Sequence, residues 1–552
     1  MILASKDTIQ HYTDLGVYSN ETLYDHFMKN MKKEPDRICV VDPPNRKNLD
    51  GFEPERLTYT EFAGAVDAVA EGLVNLGVKK DDIIMVQLPN TWELAMLYLA
   101  ISRSGAIITP APVLWREAEM GHIAKTTEAR FFITVEEFNG FNHRAMGESV
   151  RSNNPAMEKI ITLEEIRAMV KGPVTGILDK TSTDPNDIFT ICWTSGTEAL
   201  PKGCPLSHNN WAGMGLLQGS TGMRPGDVMM TAGPLVNMGS IGTVFIPWMV
   251  LGGTLVLHHP FDPAAYMGQI MTEKPNYTLM VPALANMIVK HPGVDSFDLT
   301  SFRSITIGSA PPSLWTMEEF KKRWDIDIGN IWGQNEGTGF ISAIDDVPDM
   351  ATRATSFPHY GKPGVQWKSP VNLYVVVKLL DPNDREVTEV GEVGELVYKG
   401  PGVLAAYFKN PEATERSFTE DGFFRTGDIF RIEENNMISF YERFKDIIIR
   451  GGYNISSQEI ENYIMGHPKV QDAAIVGMPD EKLGERMCVY VVPFPEQTLD
   501  LDEIVDFLNE KGVARYKHPE RLEVMENIPR NPVGKILKRT LRQDIKEKLI
   551  TE

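Results

Sequence analysis

Residues 82–112 read DIIMVQLPNTWELAMLYLAISRSGAIITPAP. A short apolar run (DIIMVQL, 82–88) leads into a helix-length segment (TWELAMLYLAISRSG, 91–105) and then a second apolar run (AIITPAP, 106–112). The order repeats through EAEMGHIAKTTE (117–128) and RFFITV (130–135). Apolar runs too short for helices, separated by segments of helical length, predict parallel strands covered by helices, with ligands at the carboxyl ends of the strands. A second series follows in TLVLHH (254–259), AAYMGQIMTEK (264–274), YTLMVP (277–282) and SITIGSAPP (304–312), so two helix-covered sheets are expected.

After about residue 365 the texture changes to short β-rich runs with turns, LYVVVKLLDPND (373–384) and GELVYKGPG (394–402), which predict a small β subdomain. From residue 444 another unit is legible: DIIIRGG (446–452), a helix over SSQEIENYIMGH (456–467), strands DAAIVGM (472–478) and MCVYVVPF (487–494), a helix LDEIVDFLNEKG (501–512) and a basic tail (535–549). The expected architecture is α/β: a large N-terminal domain over 1–443 with two sheets and a β subdomain, then a small mobile α+β C-terminal lid over 444–552.

The composition narrows the function classes. A chain of 552 residues exceeds one hydrophobic core, and 42% hydrophobic with 24% charged residues describes a folded chain rather than a disordered one. The net charge of −20 opposes attraction to nucleic acid and anionic membranes. Cys39, Cys192, Cys204 and Cys488 are widely spaced, without a CxxC pair, so neither a disulfide framework nor a zinc site is expected. The opening MILASKDTIQHYTD lacks a secretory pattern, and a cytoplasmic location is expected. Val228 to Leu257 carries no charge and is long enough to span a bilayer. Gly233, Pro234, Gly239, Gly242, Pro247, Gly252 and Gly253 interrupt it, so a buried strand–loop–helix–strand segment is expected and no membrane span.

The chemistry centres on TSGTEALPKG (194–203), which follows the strand-like NDIFTICW and precedes a helix start at SHNNWAG. Gly196 and Gly203 allow close backbone approach, Thr194, Ser195 and Thr197 offer donors to phosphate oxygens, and Lys202 adds a mobile positive charge. Alone, such a loop is more often a solvated turn, and it lacks the spacing of a Walker loop. In order along the chain then come GSAPPS (308–313), IWGQNEGTG (331–339), GELVYKGPG (394–402), FRTGDI (424–429), YERFKDIIIRGGYNISSQEIE (441–461) and RNPVGKILKR (530–539).

With these motifs in this order, the chain resembles the adenylate-forming acyl-CoA synthetases, the superfamily shared with luciferases and peptide-synthetase adenylation domains. The resemblance runs from LTYTEFAGAV (57–66) to the terminal helix. It implies that Thr194, Ser195, Gly196, Thr197, Lys202 and Asn335 contact ATP phosphates. Gly308, Ser309, Ala310, Pro311, Trp332 and Gly333 would flank adenine, and Asp428 and Arg443 the ribose or phosphate. Glu336 would hold Mg2+ together with phosphate oxygens, and Lys535 would offset charge on the α-phosphate during adenylation. Lys445 takes the hinge position, and Gly451 and Gly452 would line a tunnel for coenzyme A. Asn237, Met238, Gly239, Ser240, Ile241, Thr338 and Gly339 would form the acyl pocket.

The implied reaction joins a carboxylic acid to ATP as an acyl-adenylate and passes the acyl group to coenzyme A, leaving AMP; the reverse, from the CoA thioester toward ATP, uses the same site. The chain ends soon after Lys535 without a carrier module, which favours coenzyme A over a tethered acceptor; a carrier protein in trans and a catalytically impaired nucleotide binder stay open as alternatives. Four positions depart from the family pattern. Glu198-Ala199 stand where Thr-Gly is usual, Asn237 where His is usual, and Asn335 where Thr is usual. Glu198 is expected to turn outward or pair with Lys202, because an unpaired carboxylate facing pyrophosphate is repelled; the alternative is entry into the magnesium shell. Small residues in the acyl segment suit a compact alicyclic, aromatic or short-to-medium aliphatic acid. Monomer and homodimer are equally compatible with the sequence.

Overall fold

The structure is a computed structural model. It describes the chain except residues 181–182, 195–200, 215–220, 444–445, 451–452, 481, 512, 531–534 and 552, and except the side chains of 179, 180, 338, 372, 443, 453, 454 and 551.

The opening stretch folds as its pattern requires. Ile83–Gln87 and Ile107–Pro110 are parallel strands joined through the helix Trp92–Arg103. They belong to a six-stranded sheet that is parallel apart from its edge strand Gly203–Ser207. Side chains alternate across each strand: Ile84 and Val86 point into the main apolar cluster, Ile83 and Met85 into a second one on the opposite face. An eight-stranded sheet divides its residues likewise, with Leu255 and Leu257 in the main cluster and Val256 on the far side. The main cluster therefore lies between the two sheets. Into it pack the helix Tyr59–Asn75, started by a Thr58/Glu61 capping box, and the helix Trp92–Arg103, buried from Trp92 to Ser102. A helix buried on all sides reads as a continuous apolar run, as WELAMLYLAIS does.

The uncharged stretch Val228–Leu257 divides into a strand Val228–Thr231, helical turns from Met238 to Leu251 and a strand Thr254–Leu257, both strands inside the eight-stranded sheet. No helix among the described residues is long and apolar enough to cross a membrane. The β subdomain is a five-stranded sheet that starts at Ser356, earlier than the composition change suggests. The C-terminal unit carries its own sheet, in which Ile475 and Val489 face one apolar cluster and Val476 and Cys488 the other.

One sequence expectation needs correction, and one strand escapes the sequence pattern. The helix expected at SHNNWAG does start at His208, but the strand Gly203–Ser207, antiparallel to Ile188–Trp193, stands unread between it and the loop after Trp193. Its Gly and Pro hide it from strand patterning, and an edge position is where a sheet tolerates proline. FRTGDI (424–429) reads as the end of an apolar strand with Asp428 on a glycine turn, whereas Asp428 lies inside the ten-residue strand Phe424–Glu433. The turn signal of Gly427 is real, since its φ is 68°, but it serves a bulge opposite Leu396 rather than a chain reversal.

Candidate active site

Four parallel neighbours of the eight-stranded sheet, Val228–Thr231, Tyr277–Met280, Ser304–Ile307 and Asp327–Gln334, direct their carboxyl ends to one side. The segments leaving these ends hold most of the candidate residues. After Ser304–Ile307 come Gly308, then Ser309 at a φ of 71°, then Ala310 and Pro311. A serine held in the left-handed region is a strained position of the kind that gathers at ligand sites. Gly308 admits no side chain, because a Cβ would lie 2.9 Å from Ile331 Cγ2.

Trp332 lies on the neighbouring strand with Gly333 exposed beside it. Its ring stacks on Phe340 at 5.0 Å and 22°, and Tyr398 and Phe430 meet it edge-on. The indole N–H donates to Asp428 Oδ2 at 2.9 Å. Asp428 is itself paired in register with Arg443 on the adjacent strand, so the two proposed sugar contacts are cross-strand neighbours. Gly339 lies against Trp332, and a Cβ there would come within 2.2 Å of the indole ring.

The strand containing Trp332 reverses at Asn335 and Glu336 and returns as Gly337–Ser342. Asn335 Oδ1 accepts the Met238 N–H at 2.8 Å, and Asn335 Nδ2 donates to the Trp193 carbonyl at 2.7 Å. Trp193 ends the strand that feeds the glycine-rich loop, whose mouth is closed by Thr194 N–H to the Lys202 carbonyl and by Lys202 N–H to Thr194 Oγ1, both at 3.0 Å. Buried Glu336 accepts the Tyr407 hydroxyl on Oε1 at 2.8 Å, and the ammonium of Lys202 lies 4.7 Å from the Tyr407 ring centre. Burial, reinforced by the Glu336 charge, pushes the Tyr407 phenol well above the ordinary tyrosine range, so it stays a hydrogen-bond donor. Tyr407 was missed in the sequence; the only signal was its place in the motif-bearing run after GELVYKGPG, where a lone tyrosine reads as core.

In the acyl segment, Asn237 turns its side chain back to accept the Ser240 N–H at 3.3 Å and caps the short helix Met238–Ser240. Asn237 and Gly239 keep partial exposure, Met238 and Ser240 are buried, and Ile241 is fully inside the main cluster. Lys535 belongs to the C-terminal unit, half-buried on a return where Arg530 pairs with Ile536. Ser195, Gly196, Thr197, Glu198, Ala199, Lys445, Gly451 and Gly452, with the side chains of Arg443 and Thr338, lie outside the described residues.

Among the described residues no cluster of three or more His, Cys, Asp or Glu side chains forms a metal cage. The buried carboxylate of Glu336, beside the mouth of the glycine-rich loop, fits a magnesium ion that would draw its remaining ligands from phosphate oxygens and water.

A glycine-rich loop at a strand end, an aromatic platform tied to a carboxylate, and a buried glutamate beside the loop define an adenylate-forming ligase. The comparisons agree. The model of the AMP-binding enzymes matches residues 27–408, and that of the AMP-binding enzyme C-terminal domain matches 459–535. The chain belongs to the AMP-binding enzyme family. It is 30% identical to the medium-chain fatty-acid–CoA ligase of Escherichia coli (strain K12), over 98% of this chain and 93% of the relative. It is also 30% identical to the 2,3-dihydroxybenzoate-AMP ligase of Bacillus subtilis (strain 168), over 98% and 96% respectively. In fold it is similar to an anthranilate CoA ligase solved with anthranoyl-AMP, with a TM-score of 0.84 at 22% identity, covering 98% of this chain and 99% of the other.

Proposed function

We propose that this ligase is an AMP-forming acid–CoA ligase. In the first half-reaction a carboxylate oxygen attacks the α-phosphorus of ATP, the bond to the bridging oxygen breaks and pyrophosphate leaves. In the second, the thiol of coenzyme A loses its proton as it attacks the acyl carbonyl, and AMP departs. The observation that carries this reading is the convergence of Trp332, Asp428, Asn335 and Glu336 on one side of the sheet, next to the loop mouth at Thr194 and Lys202.

In this reading Trp332 and the 308–311 segment flank adenine, Asp428 accepts from the ribose hydroxyls with Arg443 beside it, and loop residues 194–197 with Lys202 and Asn335 meet the phosphates. Glu336 would hold magnesium, which when bound screens the charge of the departing pyrophosphate. Tyr407 fixes one Glu336 oxygen. Lys535 supplies a positive charge to the α-phosphate, an electrostatic role rather than a proton transfer. Lys445 is the hinge on which the C-terminal unit turns between the halves, so that Gly451 and Gly452 then border the path of the thiol.

Coenzyme A as acceptor is supported by the fatty-acid–CoA ligase similar over nearly the whole chain. The equally similar 2,3-dihydroxybenzoate-AMP ligase supports a second reading, release of the acyl group to a carrier protein. The small, capped acyl segment 237–241 favours a compact alicyclic, aromatic or short-to-medium aliphatic acid. Lys535→Ala tests the mechanism: acyl-adenylate formation falls by orders of magnitude, whereas thioester formation from supplied acyl-adenylate is largely spared. Equal loss of both halves contradicts the role given to Lys535.

A further inference from the structure

We propose that Asn335 is a positioning residue that couples the acid-binding segment to the phosphate loop; the inference rests on the ligase reading and adds to it a role that phosphate contact alone does not require. The side chain bridges two main-chain groups distant in sequence. Its oxygen takes the Met238 N–H, at the start of the capped helix Met238–Ser240, and its nitrogen donates to the carbonyl of Trp193, the last residue before the glycine-rich loop. Both bonds are short and well within hydrogen-bonding range.

Each end of the bridge is anchored elsewhere. The Trp193 indole N–H donates to Thr109 Oγ1 at 2.7 Å, fixing the strand end. The acid-binding segment is held at Gly233 and Leu235 by Asn90, whose amide donates to the Gly233 carbonyl and accepts the Leu235 N–H, each at 2.9 Å, and by the Tyr98 hydroxyl at the Leu235 carbonyl. Among these contacts, Asn335 alone connects the segment to the phosphate strand. A shift of Trp193 when phosphates settle in the loop is thereby passed to the N–H of Met238.

The chemistry of the side chain suits the task. A planar amide offers an acceptor and a donor on separate atoms, so it satisfies a carbonyl and an N–H that do not converge on one point. The threonine usual at this position has a single oxygen for both. The departure at Asn237 sits directly beside the bridged Met238, where the asparagine curls back into its own helix cap instead of projecting a ring toward the substrate. The two departures are thus adjacent parts of one altered segment.

Two readouts separate this role from plain phosphate binding and from general stability. In hydrogen–deuterium exchange with the full chain, the magnesium complex of α,β-methylene-ATP slows exchange over 233–241 as well as over 188–203. In Asn335→Ala the slowing over 188–203 persists and that over 233–241 disappears, while the melting temperature falls by no more than the few degrees that two lost hydrogen bonds cost. In steady-state assays with octanoate, benzoate or cyclohexanecarboxylate, Asn335→Ala raises KM for both acid and ATP about tenfold, as expected for a lost pair of buried hydrogen bonds. Asn335→Thr recovers the KM for ATP but leaves that for the acid raised. Equal slowing over 233–241 in wild type and Asn335→Ala, or a rise in KM for ATP alone, overturns the proposal. If the wild type activates none of the acids, the ligase reading fails, and the exchange experiment still decides the coupling.

Discussion

The indole N–H of Trp332 donates to Asp428 Oδ2 at 2.9 Å, joining the residue proposed to flank adenine to the one proposed to bind ribose. Either tyrosine or tryptophan can stack on a base, and the tryptophan here adds this bond to Asp428. A hydrogen bond to an ionised group contributes about 1.5–3 kcal/mol. Trp332→Phe is therefore expected to raise KM for ATP roughly tenfold or more, with kcat changed much less, and to leave KM for the acid unaltered. Steady-state kinetics with each substrate varied checks this; an altered acid KM with unchanged ATP KM contradicts it.

Tyr407 predicts a different pattern. Tyr407→Phe removes the donor to Glu336 Oε1 without changing the ring beneath Lys202. The magnesium concentration giving half-maximal adenylation shifts upward several-fold if Tyr407 orients the carboxylate that holds the ion. Because the phenol is held above its ordinary range, its ionisation adds no alkaline limb to the wild-type rate profile below about pH 10. An alkaline limb abolished by Tyr407→Phe would refute that assignment.

Acid sensitivity follows from three buried histidines. Burial lowers His143, His208 and His259 to about 4. His208 accepts the Leu23 N–H on Nδ1, which fixes the neutral ring with its proton on Nε2 toward Ser102. Such groups take protons in the unfolded chain before the folded one, so their stabilisation is complete above about pH 6.5 and is lost as pH falls toward 4. The expected loss is on the order of 3 kcal/mol per fully buried histidine by pH 4. Urea midpoints measured between pH 7 and 4 should fall, and less steeply in His208→Gln; a flat profile contradicts the assignment.

Arg46 is fully buried and bonds Asp42, Asp50 and Glu93, themselves almost without exposure. Removing Arg46 leaves Glu93 its second partner Arg167 but strands Asp42 and Asp50, at about 3–5 kcal/mol. Arg46→Met should lower the melting temperature by several degrees with little change in KM for ATP, since the network lies apart from the contacts of the site. An unchanged melting temperature would show that the carboxylates find other partners.

The C-terminal unit touches the body through Lys290, whose ammonium lies 5.5 Å from the Trp315 ring centre and 5.1 Å from that of Phe494. Burial lowers the pKa of Lys290, consistent with a partly desolvated cation between two rings. A cation–π contact contributes about 0.5–2 kcal/mol, enough to shift several-fold the balance between the two orientations proposed for the C-terminal unit. Phe494→Ala should change the energy transfer between dyes on body and lid; identical distributions for wild type and variant would contradict the link.

The parallel sheets were legible because their strands are apolar on both faces and their helices fill the intervals, as in residues 82–112. Of the candidate site, the motifs group Asp428, Trp332 and Glu336, and the structure joins Trp332 to Asp428 and sets Glu336 on the turn that follows the Trp332 strand. Gly203–Ser207 was not, because an edge strand with glycine and proline has no strand signature. Nor was Tyr407, whose value depends on a long-range contact with Glu336, or the second use of Asn335, since a bridge between Trp193 and Met238 exists only once the sheet has aligned three distant segments.

The central claim is tested most directly by incubating the protein with ATP, magnesium, coenzyme A and octanoate, benzoate or cyclohexanecarboxylate in turn, and following AMP, acyl-adenylate and thioester together. An acid–CoA ligase forms AMP and thioester in equal amounts with at least one acid, and neither when that acid is omitted. AMP formed with no acid of the panel, or acyl-adenylate that accumulates without thioester in the presence of coenzyme A, would contradict it.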